Sequence, residues 1–204
     1  MRQEYNEPEI KSHNNNKKHL AFKEIILKKI HAIVNNLAKL VEDHAGVAHL
    51  LFNKKRFEGW IQVEVVRLMS EMGIKEIHLE NTNHSGTGYY DISFYDKSMH
   101  RWAIELKVLT NNNLSWDPLD STPGPMKRVY EDADNLNLDV NVNHKVLLFL
   151  AYPVSNKSTR WLTKLQGLNA RGYREICQRE FIVNFSNRRI IGLIYAFANQ
   201  INHA

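Results

Sequence analysis

Three charged side chains stand where apolar strands should carry none: Asp91 in YYDISFYD, and Glu105 with Lys107 in RWAIELKV. A fourth, Glu64, interrupts the apolar stripe of the helix-like segment KRFEGWIQVEVVRLMSEM. Carboxylates converging from neighbouring strands and a helix form the donor set of a hard divalent cation such as Mg²⁺, which takes oxygen ligands. An amine beside them offers a fixed positive charge to an anion or to a water. Because a bound metal acidifies water and stabilises developing negative charge, these residue types together could hydrolyse a phosphodiester.

Such chemistry requires elements that bring the four side chains together. Strand alternation puts Trp102, Ile104, Leu106 and Val108 on one face of RWAIELKV, with Ala103, Glu105 and Lys107 on the other. In YYDISFYD, Asp91 falls with Ser93, opposite Tyr90, Ile92 and Phe94. A sheet with one wet face would also accommodate these charges. Helices and further strands on both sides argue instead for a cleft, where an uncompensated charge costs several kcal/mol and calls for a counter-ion. On the helix, Phe57, Trp60, Ile61, Glu64 and Leu68 share a side. The alternative for Glu64 is a surface pair with Arg67, worth a few tenths of a kcal/mol.

The rest of the chain supplies the frame. Residues 1–18 are polar and without period and read as a flexible arm, and residues 19–204 as one domain. Phe22, Ile26, Ile30, Ile33, Leu37, Leu40 and Val41 predict an amphipathic helix over 19–44, followed by a second from about Lys55 to Met72. Strands at EIHLEN, YYDISFYD and RWAIELKV come next, separated by HSGTG and DKS. A long loop leads to a helix from Met126 to about Leu138, the apolar strand HKVLLFLAYP, a helix from about Thr159 to Gly172, and a hairpin of FIVNF and RRIIGLIYAF.

Composition narrows the function classes. The chain has 204 residues, 43% of them hydrophobic and 24% charged, as in an ordinary globular protein. It lacks the roughly 18-residue apolar run of a membrane span. The N-terminal residues lack a signal peptide's apolar core and Cys177 is a lone cysteine, so a reducing cytoplasm is expected and a disulfide is not. The net charge of +5 favours a polyanionic partner, although many unrelated enzymes carry as much positive charge. Ten histidines without an H-E-x-x-H motif, and no cysteine cluster, offer no zinc site by spacing.

With Glu64 in WIQVEVV, Asp91 in YYDISF and the triplet Glu105-Leu106-Lys107 in WAIELKV, the segment from Arg56 to Pro153 resembles the PD-(D/E)XK nuclease superfamily. Tyr90 stands where the motif's proline would be. The resemblance implies an α/β restriction-endonuclease-like core: a mixed four-stranded sheet flanked by helices in the order αβββαβ. The N-terminal helix and the C-terminal helix plus hairpin would be additions to that core. It implies a Mg²⁺- or Mn²⁺-dependent endonuclease acting on DNA, with a homodimer as one assembly it allows. Asp91, Glu105 and Glu64 would hold the metal with the Leu106 main-chain carbonyl, and Lys107 would position the attacking water. Lys127, Arg128, Asn112 and Trp116 are the candidate nucleic-acid contacts, although a solvated helix start and a polar surface loop would account for them equally. A non-catalytic member of the same fold, binding nucleic acid or protein, is the alternative function.

Overall fold

The run His144–Tyr152 is buried at all nine positions, so it needs cover on both faces and a strand on each edge. The computed structural model, which describes residues 8–51, 54–82, 89–110, 126–154, 158–185 and 188–199, provides all of these. Its helices are α1 (Pro8–Asp43), α2 (Ala45–Leu50), α3 (Lys54–Glu71), α4 (Lys127–Leu138) and α5 (Thr159–Asn169). Its strands are β1 (His78–Thr82), β2 (Tyr89–Tyr95), β3 (Arg101–Thr110), β4 (His144–Tyr152), β5 (Tyr173–Phe185) and β6 (Arg188–Asn199).

They form one mixed sheet in the order β1-β2-β3-β4-β6-β5. β1, β2 and β3 make an antiparallel meander, and β3 pairs with β4 in parallel. Parallel strands need a crossover connection, which here contains α4. The sheet therefore has six strands rather than the expected four, because the hairpin β5–β6 joins it through β6 on β4. Without that hairpin, the far edge of the fully buried β4 would be an open template for aggregation.

Three other boundaries differ from expectation. β5 begins at Tyr173, well before FIVNF, and α5 ends at Asn169. α1 begins at Pro8, within the segment expected to be a flexible arm. Proline is tolerated in a helix's first turn, and extending a helix already nucleated by packing costs little.

The sheet divides the core into two layers. Ile30, Ile33, Val34 and Leu37 of α1, with Phe57, Ile61, Val65 and Leu68 of α3, pack on Ile92, Trp102, Ile104, Leu106 and Val108. On the opposite face, Val129, Ala133 and Leu136 of α4 and Trp161, Leu165 and Leu168 of α5 pack on Ala103, Leu147, Phe149 and Tyr195. Buried polar tips are paired: the Trp161 indole N–H donates to the Tyr195 hydroxyl at 2.8 Å, and the Tyr152 hydroxyl donates to the Leu51 carbonyl at 2.6 Å.

At Gly192 on β6, paired with Phe181 of β5, a β-carbon would overlap the buried Phe181 ring. Gly192→Ala is thus expected to destabilise the fold by about 1–3 kcal/mol through overpacking. Urea unfolding would show this as a lower midpoint with unchanged slope.

Candidate active site

β2 and β3 pair from Tyr95↔Arg101 to Ile92↔Ile104, the last pair of that ladder. Beyond it, side chains take over from the strand partner. The Leu106 N–H donates to Asp91 Oδ2 at 2.6 Å, and the Val108 N–H donates to Glu58 Oε2 at 3.2 Å. Hydrogen bonds from amides to a carboxylate are among the stronger kind. The sheet thus opens at Asp91, and two carboxylates, one from β2 and one from α3, line the opening. The α3 side is further fastened by Gln62, whose amide donates to the Asp91 carbonyl at 3.1 Å.

The strand phase then aims the remaining groups. Leu106 and Val108 point into the α1–α3 layer, so Glu105 and Lys107 point to the other face, toward α4. There the Lys107 ammonium lies 3.2 Å from Asp132 Oδ2 of α4 and 3.6 Å from Glu105 Oε1. Only 19% of the Lys107 side chain and 14% of the Glu105 side chain meet solvent, so these charges are largely desolvated. Within a strand residue the N–H and C=O point the same way, which turns the Leu106 carbonyl toward the same opening as Asp91.

The electrostatics follow from crowding. Burial, then Asp91 and Asp132, push the Glu105 carboxyl up to about 8 despite the nearby lysine. Burial also raises Asp91 against the opposing Leu106 hydrogen bond, and it raises Asp132 against the pull of Lys107. For Lys107, burial favours the neutral amine, but Asp132, Glu105 and Glu58 outweigh it and hold the group charged. One ammonium therefore serves several carboxylates. Asp132 is the nearest to it at 3.2 Å, and Glu105 stands farther off at 3.6 Å.

The structure brings together Asp91, Glu105 and Lys107, and adds Glu58 and Asp132. Glu64 lies elsewhere: its Oε2 accepts from Arg67 Nε at 2.8 Å, and Arg67 also bonds Glu71. The buried stripe of α3 is Phe57, Ile61, Val65, Leu68 and Met69. Glu58 and Glu64 flank that stripe on opposite sides, about 120° apart around the axis. The signal for Glu58 is its place four residues before Gln62, on the flank beside β2 and β3. The signal for Asp132 is an acid three residues after Val129 and four before Leu136, both buried. Lys127 and Arg128 are exposed at the start of α4, and Lys127 Nζ lies 3.7 Å from Glu131. Asn112 and Trp116 lie outside the described residues.

Where the proline of the motif would be, the Tyr90 hydroxyl donates to the Asp139 carboxylate at the end of α4, and Arg101 lies 5.6 Å from its ring centroid. A second set of ligand-type side chains, Asp96, His100 and His144, gathers near the opposite end of β3 and could hold a metal ion. Among the described residues, no helix is long and apolar enough to cross a membrane. No family model, curated protein or solved structure matches this chain.

Proposed function

We propose that this chain is a metal-dependent deoxyribonuclease with a restriction-endonuclease-like core, hydrolysing DNA phosphodiester bonds with Mg²⁺ or Mn²⁺. The observation that carries this reading is the convergence of Glu58, Asp91 and Glu105 with Lys107 where β2 parts from β3. Supporting it, the order α3-β1-β2-β3-α4-β4 and the parallel β3–β4 pair agree with the core that the motif implies.

The donor set suits a hard divalent cation, because it is all oxygen and carries more negative charge than Lys107 balances. The elevated Glu105 expresses that surplus directly. Glu105, Glu58 and the Asp91 oxygen not engaged by Leu106 would hold the metal, with the Leu106 carbonyl as a further donor. When bound, Mg²⁺ or Mn²⁺ would acidify a water and offset charge on the phosphoryl oxygens. Lys107 orients that water and meets the scissile phosphate. Asp132 keeps the lysine charged and aimed. Glu64, expected from the resemblance as the helix ligand, gives that role to Glu58. Lys127 and Arg128, exposed and basic at the start of the helix that carries Asp132, would contact the sugar–phosphate backbone.

The test is cleavage of supercoiled plasmid and of a labelled single strand by the purified protein with Mg²⁺, Mn²⁺ or EDTA. Metal-dependent nicking or linearisation that EDTA abolishes is expected. No cleavage of either substrate by protein that binds DNA would favour the non-catalytic alternative.

A further inference from the structure

We infer that Asp96, His100 and His144 form a transition-metal site, suited to Zn²⁺, that pins the β2–β3 turn to the start of β4. The inference is independent of the nuclease reading, because these residues sit apart from the acids around Asp91 and Glu105. One ligand atom from each residue lies within 4.8 Å of the others, and His100 Nδ1 is 3.6 Å from Asp96 Oδ1. Tetrahedral zinc with bonds of about 2.0–2.1 Å separates its ligands by roughly 3.4 Å, so adjustment on the order of 1 Å closes the set. Two imidazoles and a carboxylate match zinc's preference for nitrogen and oxygen donors, and three protein ligands leave a fourth position for water.

The surroundings are those of a held ligand set. Asp96 Oδ1 accepts from the Ser98 and His100 N–H groups at 2.8 and 3.0 Å, and Oδ2 accepts from the Trp102 indole at 3.2 Å. Partners of this kind fix a ligating carboxylate. His144 is 1% exposed and lies with its ring centroid 4.1 Å from that of Trp102, its partner in the parallel β3–β4 register. Such contact uses the face of the imidazole, whereas metal ligation uses nitrogens in the ring plane.

The turn itself carries a cost. Met99, a residue 71% exposed, adopts φ 60°, a left-handed conformation that costs a non-glycine residue about 1 kcal/mol or more. The following residue is His100, which the turn brings round to face Asp96. Asp96 and Met99 also line a cavity of about 330 Å³ between the turn and α1.

Zn²⁺ titration calorimetry on the full chain tests this, using wild type and the double variant Asp91→Ala/Glu105→Gln, in which the acid cluster is disabled. Co²⁺ absorption in the visible reports geometry. One Zn²⁺ per chain should bind the double variant with a rise in Tm, and Co²⁺ should give tetrahedral d–d bands. Adding His100→Asn, at a side chain 30% exposed and so tolerant of replacement, should weaken Zn²⁺ binding by about 100-fold and remove those bands. His144→Asn should do the same. Absence of Zn²⁺ uptake by the double variant, or uptake unchanged by His100→Asn, would overturn the site.

Discussion

Asp91→Ala is expected to reduce DNA cleavage to background and to remove stabilisation by Mg²⁺ or Mn²⁺. Asp91 would have two jobs at one place: Oδ2 accepts the Leu106 N–H at 2.6 Å, and the other oxygen would serve the proposed metal. Alanine leaves that N–H without its carboxylate, which costs about 1–3 kcal/mol if the amide stays dry. Asp91→Asn separates the two jobs, because an amide oxygen still accepts from Leu106 but brings no charge to a cation. The asparagine variant should therefore melt close to wild type without metal, yet neither cleave nor gain Tm when metal is added. Lys107→Ala should lose about 10²- to 10⁴-fold in cleavage rate, the range for a positioned proton-transfer or charge-stabilising group, while keeping metal-dependent stabilisation. Single-turnover cleavage at saturating metal, run beside thermal melts, distinguishes the three variants. A Lys107→Ala protein that cuts at the wild-type rate would remove the lysine from the mechanism.

The second large effect is a gain in stability from a loss of function. Glu105 is raised from its ordinary value to about 8 by burial and by Asp91 and Asp132. A carboxyl that binds its proton more tightly in the folded state stabilises the fold below its unfolded pKa. That contribution disappears as pH climbs through the folded value, here between roughly pH 4.5 and 8. The raised Asp91 and Asp132 act in the same sense. The metal-free protein should accordingly lose Tm between pH 5 and 8, and Glu105→Gln should flatten that slope. At pH 8 the glutamine variant should be more stable than metal-free wild type by about 2–4 kcal/mol, while cleaving nothing. Saturating Mn²⁺ should erase the slope in wild type but leave the variant unchanged. Urea unfolding at pH 5 and 8, with and without Mn²⁺, reads all of this.

Much of this arrangement is legible in the amino-acid sequence. Glu105 and Lys107 stand out because a strand's period of two puts them on one face among apolar neighbours, whereas β2 breaks that period at Asp91: Ile92 and Phe94 pack in the α1–α3 layer and Tyr90, expected beside them, packs in the α4–α5 layer. α3 is harder, since a helical stripe has soft edges. Counting Trp60 into the apolar side turns the stripe toward Glu64, whereas the buried line runs through Val65 and Met69 and leaves Glu58 beside the strands. Asp132 joins the site because α4 crosses over β3, a consequence of the parallel β3–β4 pair that no local pattern records. The hairpin is recognisable as a hairpin, but its docking on β4 is a long-range pairing. The same reason hides Asp96, His100 and His144: zinc motifs are read from short spacings, and His144 reaches the others only through β4's register beside Trp102.

In the proposed reading, Glu58 rather than Glu64 completes a divalent-metal site at the opening between β2 and β3. Calorimetric titration of Mn²⁺ into wild type, Glu58→Gln and Glu64→Gln addresses it most directly. Wild type and Glu64→Gln are expected to bind Mn²⁺ alike, while Glu58→Gln binds about tenfold or more weakly, as loss of a metal-directed carboxylate should. Equal binding by all three proteins, or weakening by Glu64→Gln alone, would contradict it.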